Sequence, residues 1–164
     1  MILSPQGALR GNAMNENSGG TPHLFDALVR FTGTVDYGYT MEHRAKGVPI
    51  PAQGARFDLF FDGKIVGERL QGTITGVDYV RLGSDGMAQL HVHAHITTHD
   101  GCHIAVHSEG IARRRAGSSI ADMQETMSFA TSADGYKWLN SLQGNATGVV
   151  DMHLGTMDIN VAER

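Results

Sequence analysis

Polar and apolar residues alternate along three neighbouring stretches of the chain, residues 77–82, 87–97 and 102–112. An alternation with a period of two residues predicts β-strands that have one polar and one apolar side. The middle stretch is the most regular, and its polar side carries Gln89, His91, His93 and His95. Both connections, Ser84–Gly86 and His99–Gly101, contain Asp-Gly and fit three-residue hairpin loops with glycine in the left-handed position.

The loop length decides which side chains share a face of the predicted sheet. A three-residue loop pairs Thr98 with Cys102, whereas a two-residue loop would slip the register by one and mix polar with apolar side chains on both faces. We therefore expect the three-residue loop, which sets His93 opposite His107. The resulting polar face consists of Tyr79, Arg81, Gln89, His91, His93, His95, His107 and Glu109.

The remainder of the chain also has the pattern of short strands separated by turns. Residues 36–54 contain two prolines and predict a long loop of the kind that often covers a binding site. Asp62-Gly63 predicts a turn, and residues 134–140 predict one short helical turn. Further strands are expected at 24–35, 56–61, 65–70, 72–75, 124–131, 147–153 and 156–161. About eight strands, 21 glycines and almost no helix predict an all-β fold, a single antiparallel barrel or sandwich.

Several short motifs within residues 63–140 carry a resemblance to a known family. They are Gly67–Gly72, Gly76–Arg81, Ser84–Gly86, Thr98–Gly101 and Tyr136–Asn140. In this order they resemble a bacterial domain-of-unknown-function family, number 3237, whose members fold as a calycin-like barrel related to allene oxide cyclase. The resemblance implies a single calycin-like β-barrel and no particular chemistry. Where family members tend to carry aspartate and arginine on the middle strand, this chain has His91 and His93, which titrate near neutral pH.

Composition and charge narrow the class of protein. The 164 residues suffice for one domain, which we expect at residues 23–164 after a disordered tail at 1–22. A net charge of −4 gives no indication of a nucleic-acid or membrane partner, and the basic run Arg113–Arg115 predicts a solvated strand end. The single cysteine, Cys102, excludes an internal disulfide, and no apolar run reaches the length of a membrane span. We expect a soluble, cytoplasmic protein.

The polar face allows three interpretations, and the sequence leaves them open. In the first it is the solvent side of the sheet, and the apolar side fills the barrel. In the second it lines a cavity, because an eight-stranded barrel can hold one small ligand. In the third the His-x-His-x-His run binds a metal ion as in a cupin-like enzyme, although the following glutamate and the distal motif of cupins are absent.

The second interpretation assigns catalytic roles to His93, His107 and Glu109. The two histidines would move protons, and Glu109 would tune one of them. The substrate would contact a further set, in which the first two members would also stabilise a developing oxyanion. This set is Tyr79, Arg81, His91 and His95.

The sequence therefore predicts a barrel that binds a small organic ligand bearing a carbonyl or carboxylate. As an enzyme it would be a lyase or isomerase, cyclases included, that uses no cofactor and no metal. The alternative from a different class is a non-catalytic binding module for a small ligand. An apolar exterior, which the second interpretation requires, would favour a homo-dimer or trimer.

Overall fold

Eight antiparallel strands form a closed barrel in a computed structural model that describes residues 20–164. The strands are β1 His23–Asp36, β2 Ala55–Val66, β3 Gly72–Leu82, β4 Met87–Thr98, β5 His103–Arg114, β6 Ile120–Ala130, β7 Gln143–Asp151 and β8 Thr156–Glu163. The two helices of this range, α1 Met41–Ala45 and the 3₁₀ helix Asp134–Ser141, are too short to cross a membrane. The predicted all-β antiparallel barrel is confirmed, while residues 1–19 of the predicted disordered tail lie outside the described residues.

The hairpin of β4 and β5 has the register predicted from its loop. His93 lies opposite His107, and the Thr98 amide donates to the Cys102 carbonyl at 2.8 Å. Gly86 and Gly101 have φ angles of 85° and 87°, in the left-handed region that the three-residue loops require. The alternating residues of β4 and β5 are thereby sorted into one polar and one apolar side.

The turn predicted at Asp62-Gly63 is wrong, because β2 runs through both residues. Asp62 pairs with Arg30 of β1 and accepts a hydrogen bond from its Nε at 2.8 Å. A Cβ at Gly63 would overlap the Leu28 carbonyl oxygen, so this glycine permits the close approach of β1 instead of forming a turn. The chain reverses between β2 and β3 at residues 67–71, and β3 joins the two strands expected at 72–75 and 77–82.

One end of the barrel, the closed end, is filled by tightly packed apolar side chains. Its most buried members come from β1, β4, β5, β8 and the 3₁₀ helix, and each has 0% of its surface exposed: Phe25, Ile96, Ile104, Val161 and Leu139. The 3₁₀ helix is held in place by Tyr136, whose hydroxyl donates to the Asp100 carboxylate at 2.7 Å. Because this end is solid, any ligand space must lie toward the opposite end.

The opposite end is covered by the segment predicted as a long loop, residues 36–54, which contains α1. Thr40 caps this helix: its hydroxyl accepts the His43 amide at 3.0 Å, and His43 Nδ1 accepts the Thr40 amide at 3.1 Å. Tyr39 is buried, and its hydroxyl donates a hydrogen bond to the Val48 carbonyl at 2.6 Å. This bond connects the two sides of α1 within the segment. The helix thus forms an ordered cover over the barrel.

Candidate active site

The polar face lies on the outside of the barrel. Val92 and Val106, which alternate with its histidines, are 8% and 3% exposed and line the interior. The side chains of His91 and His107 keep 45% and 44% of their surface exposed. The second interpretation, in which this face lines a cavity, is therefore wrong, because barrel closure turns the apolar side inward. The expected dimer or trimer, which was argued from the second interpretation, stays a prediction.

The predicted site residues are nevertheless close together on that outer surface. Glu109 Oε1 lies 3.1 Å from His91 Nδ1 and 3.6 Å from His107 Nε2. The Tyr79 ring is 5.9 Å from the ring of His93, and Arg81 pairs with Gln89 beside them. His95 is apart from this group, with its ring 5.9 Å from that of His103. The structure gives no geometric support to chemistry by these residues inside the barrel.

A cavity of about 100 Å³ occupies the barrel beneath α1. Its wall is mostly apolar and comes from α1 and all eight strands, and it includes the side chains of Phe57, Phe61, Ile74, Val106, Met127 and Ile159. Two carboxyl groups interrupt this wall, Asp78 from β3 and Glu125 from β6. An apolar cavity with a few convergent polar groups is the composition typical of a small-molecule site.

Asp78 is held in the interior by a hydrogen bond from the barrel wall. The ladder pairs Asp78 with Val92 and Arg81 with Gln89, and between these pairs the His91 amide donates to Asp78 Oδ1 at 3.0 Å. Burial raises the pKa of Asp78 to about 6, and the hydrogen bond from His91 opposes this rise. The hydrogen bond thus orients the carboxyl group, but it offsets only part of the free-energy cost of removing the carboxylate from water.

Glu125 is stabilised in its buried position by fewer hydrogen bonds than Asp78. It is buried, and its Oε1 has no hydrogen-bond partner among the described residues. Burial, and to a smaller extent the nearby Asp78 carboxyl group, together raise the pKa of Glu125 to about 8. Glu125 is therefore mostly protonated at neutral pH, and its remaining ionised fraction can accept a proton.

The strand beside Glu125 leaves room for its carboxyl group. Gly110 of β5 pairs with Glu125, and a Cβ at Gly110 would overlap the Gln124 carbonyl oxygen. Ser108, the preceding interior position of β5, is fully buried and its Oγ has no partner among the described residues. Small side chains on β5 therefore keep this part of the interior open and partly polar.

Two arginines line the covered end of the cavity, Arg44 on α1 and Arg114 at the end of β5. Arg44 is half-buried, and no carboxylate pairs with it among residues 20–164. Burial and the nearby Arg114 lower the pKa of Arg44. Since two guanidinium groups without a carboxylate between them repel each other, an anionic group of a ligand would be favoured at this position.

Asp78 and Glu125 are absent from the residues predicted above, although the sequence carries a signal for both. Each is a single charged residue at an apolar phase of an alternating strand, between Ile74 and Val80 in β3 and between Met123 and Met127 in β6. A charge at such a position is rare, because burial of an unpaired carboxylate is costly. Arg114 belongs to the run predicted as a solvated strand end, and it remains exposed while lining the cavity mouth.

Comparison with known proteins agrees with the fold. Residues 34–162 match a family described as "Protein of unknown function (DUF3237)". No curated protein matches the chain. A β-barrel-like protein from Acinetobacter baumannii AYE is 21% identical with a TM-score of 0.69, and the match covers 88% of this chain and 94% of that one.

Two further solved structures have similar coverage. A protein of unknown function from Clostridium acetobutylicum is 17% identical with a TM-score of 0.72, covering 88% of this chain and 99% of its own. A protein described as an enzyme, from Penicillium herquei, is 22% identical with a TM-score of 0.53, covering 90% and 99%. At these identities the likeness shows the shared barrel fold.

Proposed function

Because this chain belongs to the DUF3237 family, whose description names no activity, we propose a function on the chemistry of the cavity. The protein is a cofactor-independent lyase or isomerase, cyclases included, that moves protons on a small organic molecule bearing a carbonyl or carboxylate. One observation carries this proposal: a buried glutamate without a hydrogen-bond partner, Glu125, lines an apolar cavity that has arginines at its mouth. The Penicillium herquei protein of the same fold is described as an enzyme, which is compatible with catalysis in such a barrel.

Glu125 is the general acid–base group of the proposed reaction. A carboxyl group whose pKa is raised toward neutrality both donates and accepts protons at working pH, and such catalysis contributes roughly 10²–10⁴-fold to a rate. Removal of a proton from a carbon next to a carbonyl gives an enolate. Return of the proton to another carbon is isomerisation, and departure of a β-substituent is elimination. Addition of an internal oxygen nucleophile to a conjugated double bond, followed by protonation, gives ring closure.

The arginines and the cavity volume define the substrate. Arg44 and Arg114 would bind a carboxylate, or the enolate oxygen as charge develops on it. The cavity of about 100 Å³ is smaller than an apolar cavity of about 150 Å³ that holds benzene. The substrate is therefore a compact, mostly apolar molecule, with its charged group toward α1 and its apolar body between the strands.

Solvent hydrogen exchange tests the proposal through its first step, the removal of a proton from carbon. The protein is incubated in D₂O with a panel of small 2-oxo and 3-oxo carboxylic acids, and loss of the proton next to the carbonyl is followed by NMR. We expect protein-dependent exchange for at least one compound, its loss in Glu125→Gln, and its retention in Glu68→Gln, which changes an exposed carboxyl group.

Two outcomes would contradict the proposal. Compounds that perturb the spectrum of the protein without exchanging their protons would indicate the non-catalytic binding module. A panel that neither binds nor exchanges would show that the cavity does not accept carbonyl acids. The expected small-ligand partner would then lack support from the cavity.

Replacing Arg44 with methionine is expected to weaken the binding of a small carboxylate about tenfold. A charged hydrogen bond contributes about 1.5–3 kcal/mol, part of which Arg114 would still supply. Isobutyrate, a compact branched carboxylate, is a suitable probe, with Kd measured by calorimetry. Lys46→Met is the matched control, because Lys46 lies just after α1 and pairs with Glu42 on the exposed side. Equal losses in the two variants would indicate general electrostatics and would rule out a specific role for Arg44.

A further inference from the structure

We propose that His91, His93 and His107 bind a divalent transition-metal ion on the outer wall of the barrel. One ligand nitrogen from each ring lies within 4.8 Å of the others. The three side chains project from β4 and β5 on the side opposite to the cavity. The proposed metal site is therefore separate from the acid–base site and does not depend on the function proposed above.

The backbone places the three imidazoles at the corners of a nearly regular triangle. His91 and His93 are two residues apart on one strand, so they share a face, and His107 lies directly opposite His93. The ring centroids are 5.0 Å apart for His91 and each of the other two rings, and 5.1 Å apart for His93 and His107. A site built on two paired strands is pre-organised, because neither strand can move independently.

The ligand atoms already approach the spacing that a metal ion requires. Nε2 of His91 lies 3.0 Å from Nε2 of His93. Two nitrogens bound tetrahedrally to one zinc ion at about 2.0–2.1 Å are roughly 3.3–3.4 Å apart. A small opening of this pair and a rotation of the His107 ring would bring all three nitrogens to one ion.

Glu109 supports the same site from behind His91. Its Oε1 lies 3.1 Å from His91 Nδ1, so it would orient the ring and leave Nε2 as the metal ligand. A carboxylate on the far nitrogen is a common partner of metal-binding histidines, and it raises their basicity. The negative charge of Glu109 also offsets part of the charge of a bound cation.

The donor set selects the class of ion. Three imidazoles suit Zn²⁺, Co²⁺, Ni²⁺ and Cu²⁺, whereas Ca²⁺ and Mg²⁺ require oxygen ligands. Three protein ligands leave a fourth position for water or an anion. Arg56 and Arg81 line the same surface hollow, and their charge opposes a bare cation while favouring an anion bound to it. We therefore expect binding of moderate strength that tolerates an exchangeable fourth ligand.

Titration of the full chain with Zn²⁺ and Co²⁺ tests this site. The protein must carry no histidine tag, because a tag would bind the same ions. We expect one ion per chain by calorimetry, the visible absorption of four-coordinate Co²⁺, and a Zn²⁺-dependent rise in melting temperature. His93→Ala and His107→Ala should each weaken binding at least tenfold, with a circular-dichroism spectrum unchanged from the wild type.

His95→Ala is the matched control, since His95 is exposed on the same side of β4 but is not part of the triangle. It should bind Zn²⁺ with unchanged affinity. Equal weakening by His95→Ala, or unaltered binding in His93→Ala, would show diffuse surface binding and overturn the proposal. Failure of the wild type to bind either ion would overturn it as well. Neither result affects the exchange experiment, whose variant lies inside the barrel.

Discussion

Glu125→Gln is expected to abolish proton transfer and, at alkaline pH, to stabilise the protein. Glutamine has the shape of the protonated side chain but cannot give or take a proton. The rate of hydrogen exchange on a responsive compound should fall by roughly 10²–10⁴-fold, the usual contribution of a general acid–base group. The apolar wall and the arginines remain, so the affinity for isobutyrate should change little.

The gain in stability follows from the raised pKa of Glu125. In the folded protein this pKa is about 8, compared with an ordinary value of 4.5, so between these values the folded state holds a proton that the unfolded chain releases. The free energy of unfolding therefore falls as the pH rises through this window, by about 1.4 kcal/mol for each unit of pKa shift. Glutamine has no such loss, and we expect Glu125→Gln to be more stable than the wild type at pH 9, by up to about 5 kcal/mol.

Thermal or urea denaturation at pH 4 and pH 9 measures this difference. Below about pH 4.5 the carboxyl group is protonated in both states, so the variant and the wild type should have similar stability. Glu68→Gln should follow the wild type at both pH values because its side chain is exposed. An equal advantage of Glu125→Gln at both pH values would mean that the charge of the buried carboxyl group is not the cause.

Phe25→Ala is expected to have the largest effect on stability, a loss of about 3–5 kcal/mol. Phe25 is fully buried at the closed end, where its ring meets that of Phe129 edge-on, with centroids 6.3 Å apart at an angle of 73°. Loss of the ring removes apolar contact and leaves a void, because neighbouring strands of a closed barrel cannot collapse into it. The melting temperature should fall by about 6–20 °C.

A neighbouring position on β1 supplies the control for Phe25→Ala. Leu28 is 62% exposed on the outside of the barrel, and Leu28→Ala should change stability by no more than about 0.5 kcal/mol. A double-mutant cycle with Phe129→Leu measures the interaction energy of the two aromatic rings. This interaction should contribute about 0.5–1.5 kcal/mol in addition to the burial of apolar surface. Similar losses for the Phe25 and Leu28 variants would contradict the packing described for the closed end.

The fold could be predicted from the sequence where the determining signals are local. The register of β4 and β5 follows from Asp-Gly loops and from alternation within a dozen residues, and it agrees with the structure. The turn expected at Asp62-Gly63 fails for the opposite reason. Gly63 is required by the Leu28 carbonyl of another strand, a contact that no local pattern contains.

The alternation of polar and apolar residues could not show which side of the sheet faces the interior of the barrel, and the location of the site depends on this. A period of two separates the polar face from the apolar side, but it does not say which of them barrel closure turns inward. The alternation in β4 and β5 is compatible with both orientations, and large barrels do have polar interiors. Because the barrel here closes on its apolar side, the histidines are outside and their predicted roles in the cavity have no support.

The sequence could indicate individual residues of the cavity, but it could not show that they lie together in one site. Asp78 on β3 and Glu125 on β6 are separated by two intervening strands and meet only across the closed barrel. Arg44 and Arg114 come from a loop segment and a strand end that lack any shared motif. The cytoplasmic location stays a prediction, and so does the domain boundary at residue 23, although β1 begins there.

The position of Arg44 on α1 affects how long a ligand stays bound. The Arg44 guanidinium, which would bind an anion, is carried by the segment that covers the cavity. An anion bound to Arg44 would therefore also stabilise the segment in its position over the cavity. Under the proposed function, release of the ligand would break this ion pair as the segment lifts. Ligands with the same carboxylate but different apolar bodies would have similar dwell times, even where their affinities differ.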